Sequence, residues 1–156
     1  MGVSEEATVG VPVSVLLDGK GSALETLPLD ATLRDAVERL TARNIGSVLI
    51  TDAEGKLAGI LSERDIVREL AATGPEALEV SVTRVMSAEA RTCTPGTNTD
   101  ELMRIMTEER IRHVPVVDVD RCLIGIVSIG DVVKWQLEEL TTEAEQLANY
   151  VRGSSY

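Results

Sequence analysis

Aromatic residues are nearly missing from this chain. Phe is absent, Trp occurs once and Tyr twice, together 2% of 156 residues. The core must therefore be built from Val, Ile, Leu, Ala and Met, and a binding site has no ring to stack on: Trp135 reads as a core or dimer-interface residue. Histidine occurs once and cysteine twice, at Cys93 and Cys122, with no C-x-x-C spacing. That leaves no metal-ligand set, and the two thiols read as small buried hydrophobes in a reducing cytosol. Positive charge is scarce too: 15 Lys and Arg stand against 26 Asp and Glu, a net −11. Such a field repels phosphate polyanions and anionic lipid, which excludes nucleic acid and membrane as first guesses for a partner, yet it leaves room for a small anion in a local basic pocket. No apolar run approaches the roughly 20 residues of a membrane span. The opening "MGVSEEATVG" has no apolar signal region, and Glu6 stands where a myristoylation signal places Ser or Thr. A cytoplasmic protein is expected.

What is present is an ordinary globular composition, 44% apolar and 26% charged, of a length that fits one domain or two small, tightly joined halves. The chain also repeats itself. "GILSERD" at 59–65 returns as "GIVSIGD" at 125–131, an offset of 66 residues. At that offset Thr26/Thr92, Thr41/Thr107, Ile45/Ile111, Val48/Val114, Asp52/Asp118, Leu57/Leu123, Ser62/Ser128, Asp65/Asp131 and Val67/Val133 are identical without a gap. Self-similarity of this period means one structural unit written twice.

Each unit has one plan. A short extended piece (23–27; 91–94) precedes an amphipathic helix, whose apolar residues Leu33, Ala36, Val37 and Leu40 fall on one stripe, as do Leu102, Ile105 and Met106 in the second unit. Thr32-x-x-Asp35 and Asn98-x-x-Glu101 are helix-start signals of the capping-box kind. "GSVLITD" and "RHVPVVD" read as strands buried on both faces, tight turns follow, and "LAGILS" and "LIGIVS" complete two hairpins. A second helix starts after Ser62 and again after Ser128. Gly74-Pro75 stops the first of these. "VSVLLDG" (13–19) and "SVTRVMS" (81–87) read as short helical lead-ins to the first and second units. From Val132 to about Asn149 one long helix is expected, either packed on a partner chain or lying on its own core. The division along the chain is 1–10 flexible, 11–75 first repeat, 76–140 second repeat and 141–156 C-terminal helix and tail.

The helix–strand–strand–helix order, the "PVVD" strand and the closing G-I-x-S-x-x-D resemble the cystathionine-β-synthase (CBS) domain, and two copies in tandem resemble a CBS pair, from about Val13 to Leu140. The resemblance implies an α/β (α+β) fold: two tandem CBS repeats packed through short β-sheets, with a long C-terminal helix. It also implies clefts between the repeats for an adenosine-containing ligand (AMP first, then ATP or NAD(H), with S-adenosylmethionine also known in the family), a homodimer, and an effector protein to be regulated.

The chemistry of the residues agrees. Asp65 and Asp131 follow strand ends at the heads of helices, and an ionised Asp accepts both hydroxyls of a ribose diol. Ser62 and Ser128 can bind a sugar oxygen or a phosphate, beside the free N–H groups of a helix start. The competing reading is that S-x-x-D is only a capping pattern. Capping would leave Gly59 and Gly125 unexplained, because Gly inside a strand marks close approach by a ligand or by another backbone. Candidate phosphate-binding residues are Arg64, Arg112 and His113. Gly46 and Ser47 hold the positions of Arg112 and His113 in the first repeat, and Gly130 holds that of Arg64 in the second, so the two clefts are unequal in charge. The resemblance sets the base against Thr26, Leu27, Thr92, Cys93, Pro115 and Val116. No nucleophile–base pair appears, so an enzyme is not expected. The alternative to a nucleotide sensor is a ligand-free structural or protein-interaction module.

Overall fold

A computed structural model describes residues 10–19 and 24–153. The elements are α1 (Val13–Asp18), β1 (Thr26–Pro28), α2 (Leu33–Arg43), β2 (Ser47–Thr51), β3 (Leu57–Ser62), α3 (Glu63–Thr73), α4 (Thr99–Glu109), β4 (His113–Val117), β5 (Leu123–Ser128) and α5 (Ile129–Gly153), with short 3-10 turns at Pro75–Glu79 and Val82–Arg84.

The first sheet has the order β1-β2-β3, with β1 parallel and β3 antiparallel to β2. In the second, β4 and β5 pair antiparallel. The counterpart of β1 shrinks there to Cys93, which donates to Pro115 and accepts from Val117, both at 2.9 Å. The repeat extends to its irregularities. Both hairpins slip register at equivalent places, Ile50/Thr51 and Val116/Val117. Both turns are held by an Asp carboxylate: Asp52 accepts from the N–H groups of Glu54 and Lys56, and Asp118 from those of Asp120 and Cys122. That accounts for the identity of the two Asp residues. The left-handed position of each turn is Gly55 in one and Arg121 in the other.

The central strands are buried as expected: Val48, Leu49 and Ile50 in β2, Val114 to Val117 in β4. Helix α2 starts with the full capping box of Thr32 and Asp35. Helix α4 departs from the expectation. Asn98 caps it through the N–H of Asp100 at 2.8 Å, and no box with Glu101 closes.

Three cores result. The first gathers Leu27, Leu33, Leu40, Val48, Ile50, Leu61 and Ile66. The second gathers Leu102, Ile105, Val114, Val116, Val127 and Val132, with Trp135 packed on it. The third, Leu49, Leu57 and Val117 with Ile60, Leu123 and Ile126 around them, joins the repeats. Beside it the two hairpin tips pair, Leu57 N–H to Arg121 O and Leu123 N–H to Gly55 O.

The lead-ins cross over. Val13 and Leu16 of α1 are buried in the second core, although α1 opens the first repeat in sequence. Val82 is buried in the first core, although it lies in the opening segment of the second repeat. Matching backbone bonds hold them: Val13 N–H to Thr97 O and Thr99 N–H to Val11 O on one side, Leu33 N–H to Val80 O and Val82 N–H to Ala31 O on the other.

The glycines are explained by the same crossing. A Cβ on Gly59 would lie 2.7 Å from Met86 Sδ and 2.9 Å from the Ser87 carbonyl oxygen, and one on Gly125 would lie 2.7 Å from Leu17 Cδ2. The close approach expected at these positions is made by the chain itself.

Candidate functional site

The loop leaving α2 and the first residues of β2 meet the first residue of β4 and the end of β5. Between them lies a cleft of about 340 Å³, lined by Glu25, Asn44, Ile45, Gly46, Ser47 and Leu49 from the first repeat and by His113, Ile126 and Ser128 from the second. Local structure positions each group. Asn44 ends α2 in the left-handed conformation at φ 51°, which turns the chain sharply into β2. Ser47 and His113 occupy equivalent strand starts, and each faces a serine in register, Ser62 and Ser128 respectively.

The cleft has aliphatic walls and polar ends. Leu49, Ile45 and Ile126 supply the walls. Glu25 supplies one end, and α2 neutralises its carboxylate with Arg39 at 2.9 Å and Arg43 at 3.0 Å. Ser128 supplies the other. Its N–H donates to Asp131 Oδ2 at 2.7 Å, and its Oγ accepts from the Asp131 N–H at 3.2 Å. Asp131 also lines a smaller recess of about 190 Å³ beside α1, with Val15, Leu16, Gly19, Lys134, Trp135 and Glu138. The Ser128–Asp131 turn therefore borders both openings.

In the first repeat, Ser62 and Asp65 form the same capping box, with Ser62 N–H and Oγ–H both donating to Asp65 Oδ2 at 2.9 Å. The Arg68 guanidinium stands 4.0 Å from Asp65 Oδ1. Capping is thus present at both S-x-x-D motifs, through Oδ2 of Asp65 and Oδ2 of Asp131. An ionised carboxylate offers about four lone-pair sites, so capping and a sugar contact are compatible.

Of the residues singled out from sequence, His113 and Ser128 line the cleft, and Asp131 flanks it. Ser62 and Asp65 occupy the equivalent corner of the other repeat. Arg64 and Arg112 are exposed. Leu27, Cys93, Pro115 and Val116 are buried, while Thr26 and Thr92 are half-buried. The Leu27, Cys93 and Val116 side chains belong to the cores, which leaves base contact near them to backbone groups. Burial, and secondarily the charge of Glu101, pushes the Cys93 thiol up to about 11.

Sequence reasoning passed over Glu25, Ile45, Leu49 and Ile126. The available signal was the offset itself. Adding 66 to Glu25, Asn44 and Gly46 gives Arg91, Arg110 and Arg112, so the opposite edge of the repeat interface carries three arginines where this cleft carries one acid and two neutral residues. Among the described residues, no group of three His, Cys, Asp or Glu is placed to hold a metal ion, and no helix is long and apolar enough to cross a membrane.

A CBS domain family model matches residues 22–72 and 82–138. Among curated relatives, CBS domain-containing protein CBSX3, mitochondrial, from Arabidopsis thaliana is 33% identical over 97% of this chain and 77% of its own length. Among solved structures, the CBS-domain containing protein ATU1752 from Agrobacterium tumefaciens is 44% identical with a TM-score of 0.73, covering 80% of this chain and 98% of that one. The CBS domain pair of protein MJ0100, in complex with 5′-methylthioadenosine and S-adenosyl-L-methionine, is 26% identical with a TM-score of 0.70, covering 80% and 98%. CBS domain protein PAE2072 from Pyrobaculum aerophilum, complexed with AMP, is 26% identical with a TM-score of 0.71, covering 85% and 99%.

Proposed function

The chain belongs to the CBS-domain family as a tandem pair, and on that footing we propose that it is a regulatory module that binds an adenosine-containing ligand, AMP foremost, and signals by a change of shape. No bond is made or broken in this reading. Ligand binds one conformation better than another and shifts the balance between them. The supporting observation is the cleft between the repeats, aliphatic along its walls, with a Ser–Asp helix start at its edge. Two solved relatives of the same fold carry adenosine compounds.

In this reading Asp131 or Asp65 accepts the ribose hydroxyls while it caps its helix. The phosphate lies toward the arginine-rich edge, near Arg112 and His113 with Arg91 and Arg110, or near Arg64 at the head of α3. The base meets Ile45, Leu49 and Ile126 and backbone groups around Thr26, Leu27, Thr92, Cys93, Pro115 and Val116. The module works as a homodimer on an effector protein. Its two free thiols suit a reducing compartment such as the cytoplasm.

Thermal melting with AMP, ATP, NADH, S-adenosylmethionine and 5′-methylthioadenosine tests this. A ligand at 100 times its Kd adds about 2.7 kcal/mol, or roughly 5–11 °C for a chain of this size. Asp131→Ala or Asp65→Ala should abolish the shift while lowering the unliganded melting point only by the cost of a cap, about 0.5–2 kcal/mol. Unmoved curves for every ligand would leave a duplicated scaffold that binds only protein.

A further inference from the structure

The cleft between the repeats carries a carboxylate where a phosphate site would carry a cation. Glu25, the residue before β1, lines it beside Ser47, His113 and Ser128, and its side chain is only 20% exposed. Two guanidinium groups of α2 hold that side chain. Arg39 Nη1 lies 2.9 Å from Oε2, and Arg43 Nε lies 3.0 Å from Oε1. Neither arginine lines the cleft. Both line a recess on the other side of α2, together with Asp30, Asp35 and Glu38. Counting Glu25, four acids there stand against two arginines.

Two guanidinium groups converging on one point make a strong phosphate receptor. Here the point is already taken. Glu25 is a built-in anion, and a phosphate entering the cleft meets its charge before reaching those of Arg39 and Arg43. One carboxylate at close range disfavours a phosphate by roughly tenfold to a hundredfold. The cleft, at about 340 Å³, is also at the small end of ligand sites, which suits a nucleoside without a phosphate chain.

The opposite edge of the repeat interface reverses the sign. At the 66-residue offset, Arg91 replaces Glu25, Arg110 replaces Asn44 and Arg112 replaces Gly46. All three are exposed, and none forms an ion pair among the described residues. The clamp has no copy there, because Ile105 and Glu109 stand at the positions of Arg39 and Arg43.

We infer that the two clefts sort adenosine compounds by charge and that Glu25 is the residue that sets the difference. Its cleft takes an adenosine compound that bears no phosphate, neutral or cationic at the 5′ position. Phosphorylated compounds go to the arginine edge. This rests on the adenosine-binding reading above and adds to it a second, separately selective cleft, so that one chain reads two pools of ligand at once.

Calorimetric titration of the full chain at pH 8 tests it, with AMP and 5′-methylthioadenosine as the probes. Wild type should bind one AMP per chain and, with AMP saturating, should still take up one 5′-methylthioadenosine. Glu25→Ala frees both guanidinium groups, and Glu25→Gln removes the charge while keeping the length of the side chain and an oxygen for Arg39. In both, AMP should gain the second cleft. The count should rise to two AMP per chain, and AMP should now lower the apparent affinity for the thioether by about tenfold or more. If the alanine variant loosens α2, the glutamine variant decides. Displacement of the thioether by AMP in wild type, two AMP per wild-type chain, or variants that stay at one AMP would each overturn the inference and leave the binding reading standing. A wild type that binds neither compound would overturn both.

Discussion

Adding one methyl group at two equivalent positions should have very different consequences. Gly59 and Gly125 are related by the repeat and lie in equivalent strands. Gly→Ala ordinarily favours folding by about 0.4–1 kcal/mol, because the unfolded chain loses freedom. At Gly59 the new Cβ would stand 2.9 Å from the Ser87 carbonyl oxygen and 2.7 Å from Met86 Sδ. The thioether can swing away. The carbonyl cannot, because Ile60 donates to it at 3.1 Å and Ser87 donates back to Ile60 O at 2.9 Å. Relief means overpacking strain of about 1–3 kcal/mol plus weakening of two bonds worth about 0.5–1.5 kcal/mol each. After the entropic gain, Gly59→Ala should cost about 2–3 kcal/mol. At Gly125 the close atom is a methyl at the far end of half-buried Leu17, with the next atoms at 3.7 Å and 3.8 Å. A rotamer change suffices, and Gly125→Ala should fall within about 1 kcal/mol of wild type. Urea unfolding at constant m-value measures both. Equal effects, or a neutral Gly59→Ala, would refute the claim that the 86–87 segment is what requires a glycine.

Asp52→Ala and Asp118→Ala each remove a carboxylate that holds two backbone N–H groups, and each should lower stability by about 1–2 kcal/mol with the fold retained, read from melting curves and an unchanged circular dichroism spectrum. Cys93 should resist thiol reagents at pH 8 while half-buried Cys122 reacts, and the unfolded chain should label at both. Because burial raises the Cys93 pKa from 9.0 to about 11, the folded state keeps a proton that the unfolded state releases, so its contribution to stability is present below pH 9 and declines as pH rises toward 11. A Cys93→Ala variant should lose that part of the alkaline slope; an unaltered slope would count against it.

What could be read from the sequence was what is local or repeated. The box at Thr32 and Asp35 and those at the two S-x-x-D motifs are spelled within four residues, and the 66-residue offset carried the plan of one half onto the other. The box at Asn98 failed on a detail of reach, since the Asn side chain bonds one residue short of Glu101's position. The cleft was less legible. Leu49 reads as part of a strand buried on both faces, Ile45 and Ile126 carry no signal beyond the repeat and the hairpin, and only the meeting of two sheets turns some of that apolar surface toward a shared opening. Glu25 looked like one acid among many until α2 brought Arg39 and Arg43 to it. Of the glycine pair, Gly59 meets the backbone approach expected of it, at Ser87, whereas Gly125 meets only the side chain of Leu17; the approaching group lies more than 25 residues away along the chain in one case and more than 100 in the other, beyond any pattern of spacing.

The crossing of the lead-ins binds the halves as two people are bound who each hold the other's coat. Trimming the protein before residue 20 would strip Val13 and Leu16 from the far half and leave the near one roofed; cutting at Gly74 would separate Val82 from the half it shelters. Neither half can be excised as a self-sufficient folding unit along its sequence borders, and damage at one end of the polypeptide surfaces in the hemisphere encoded at the other.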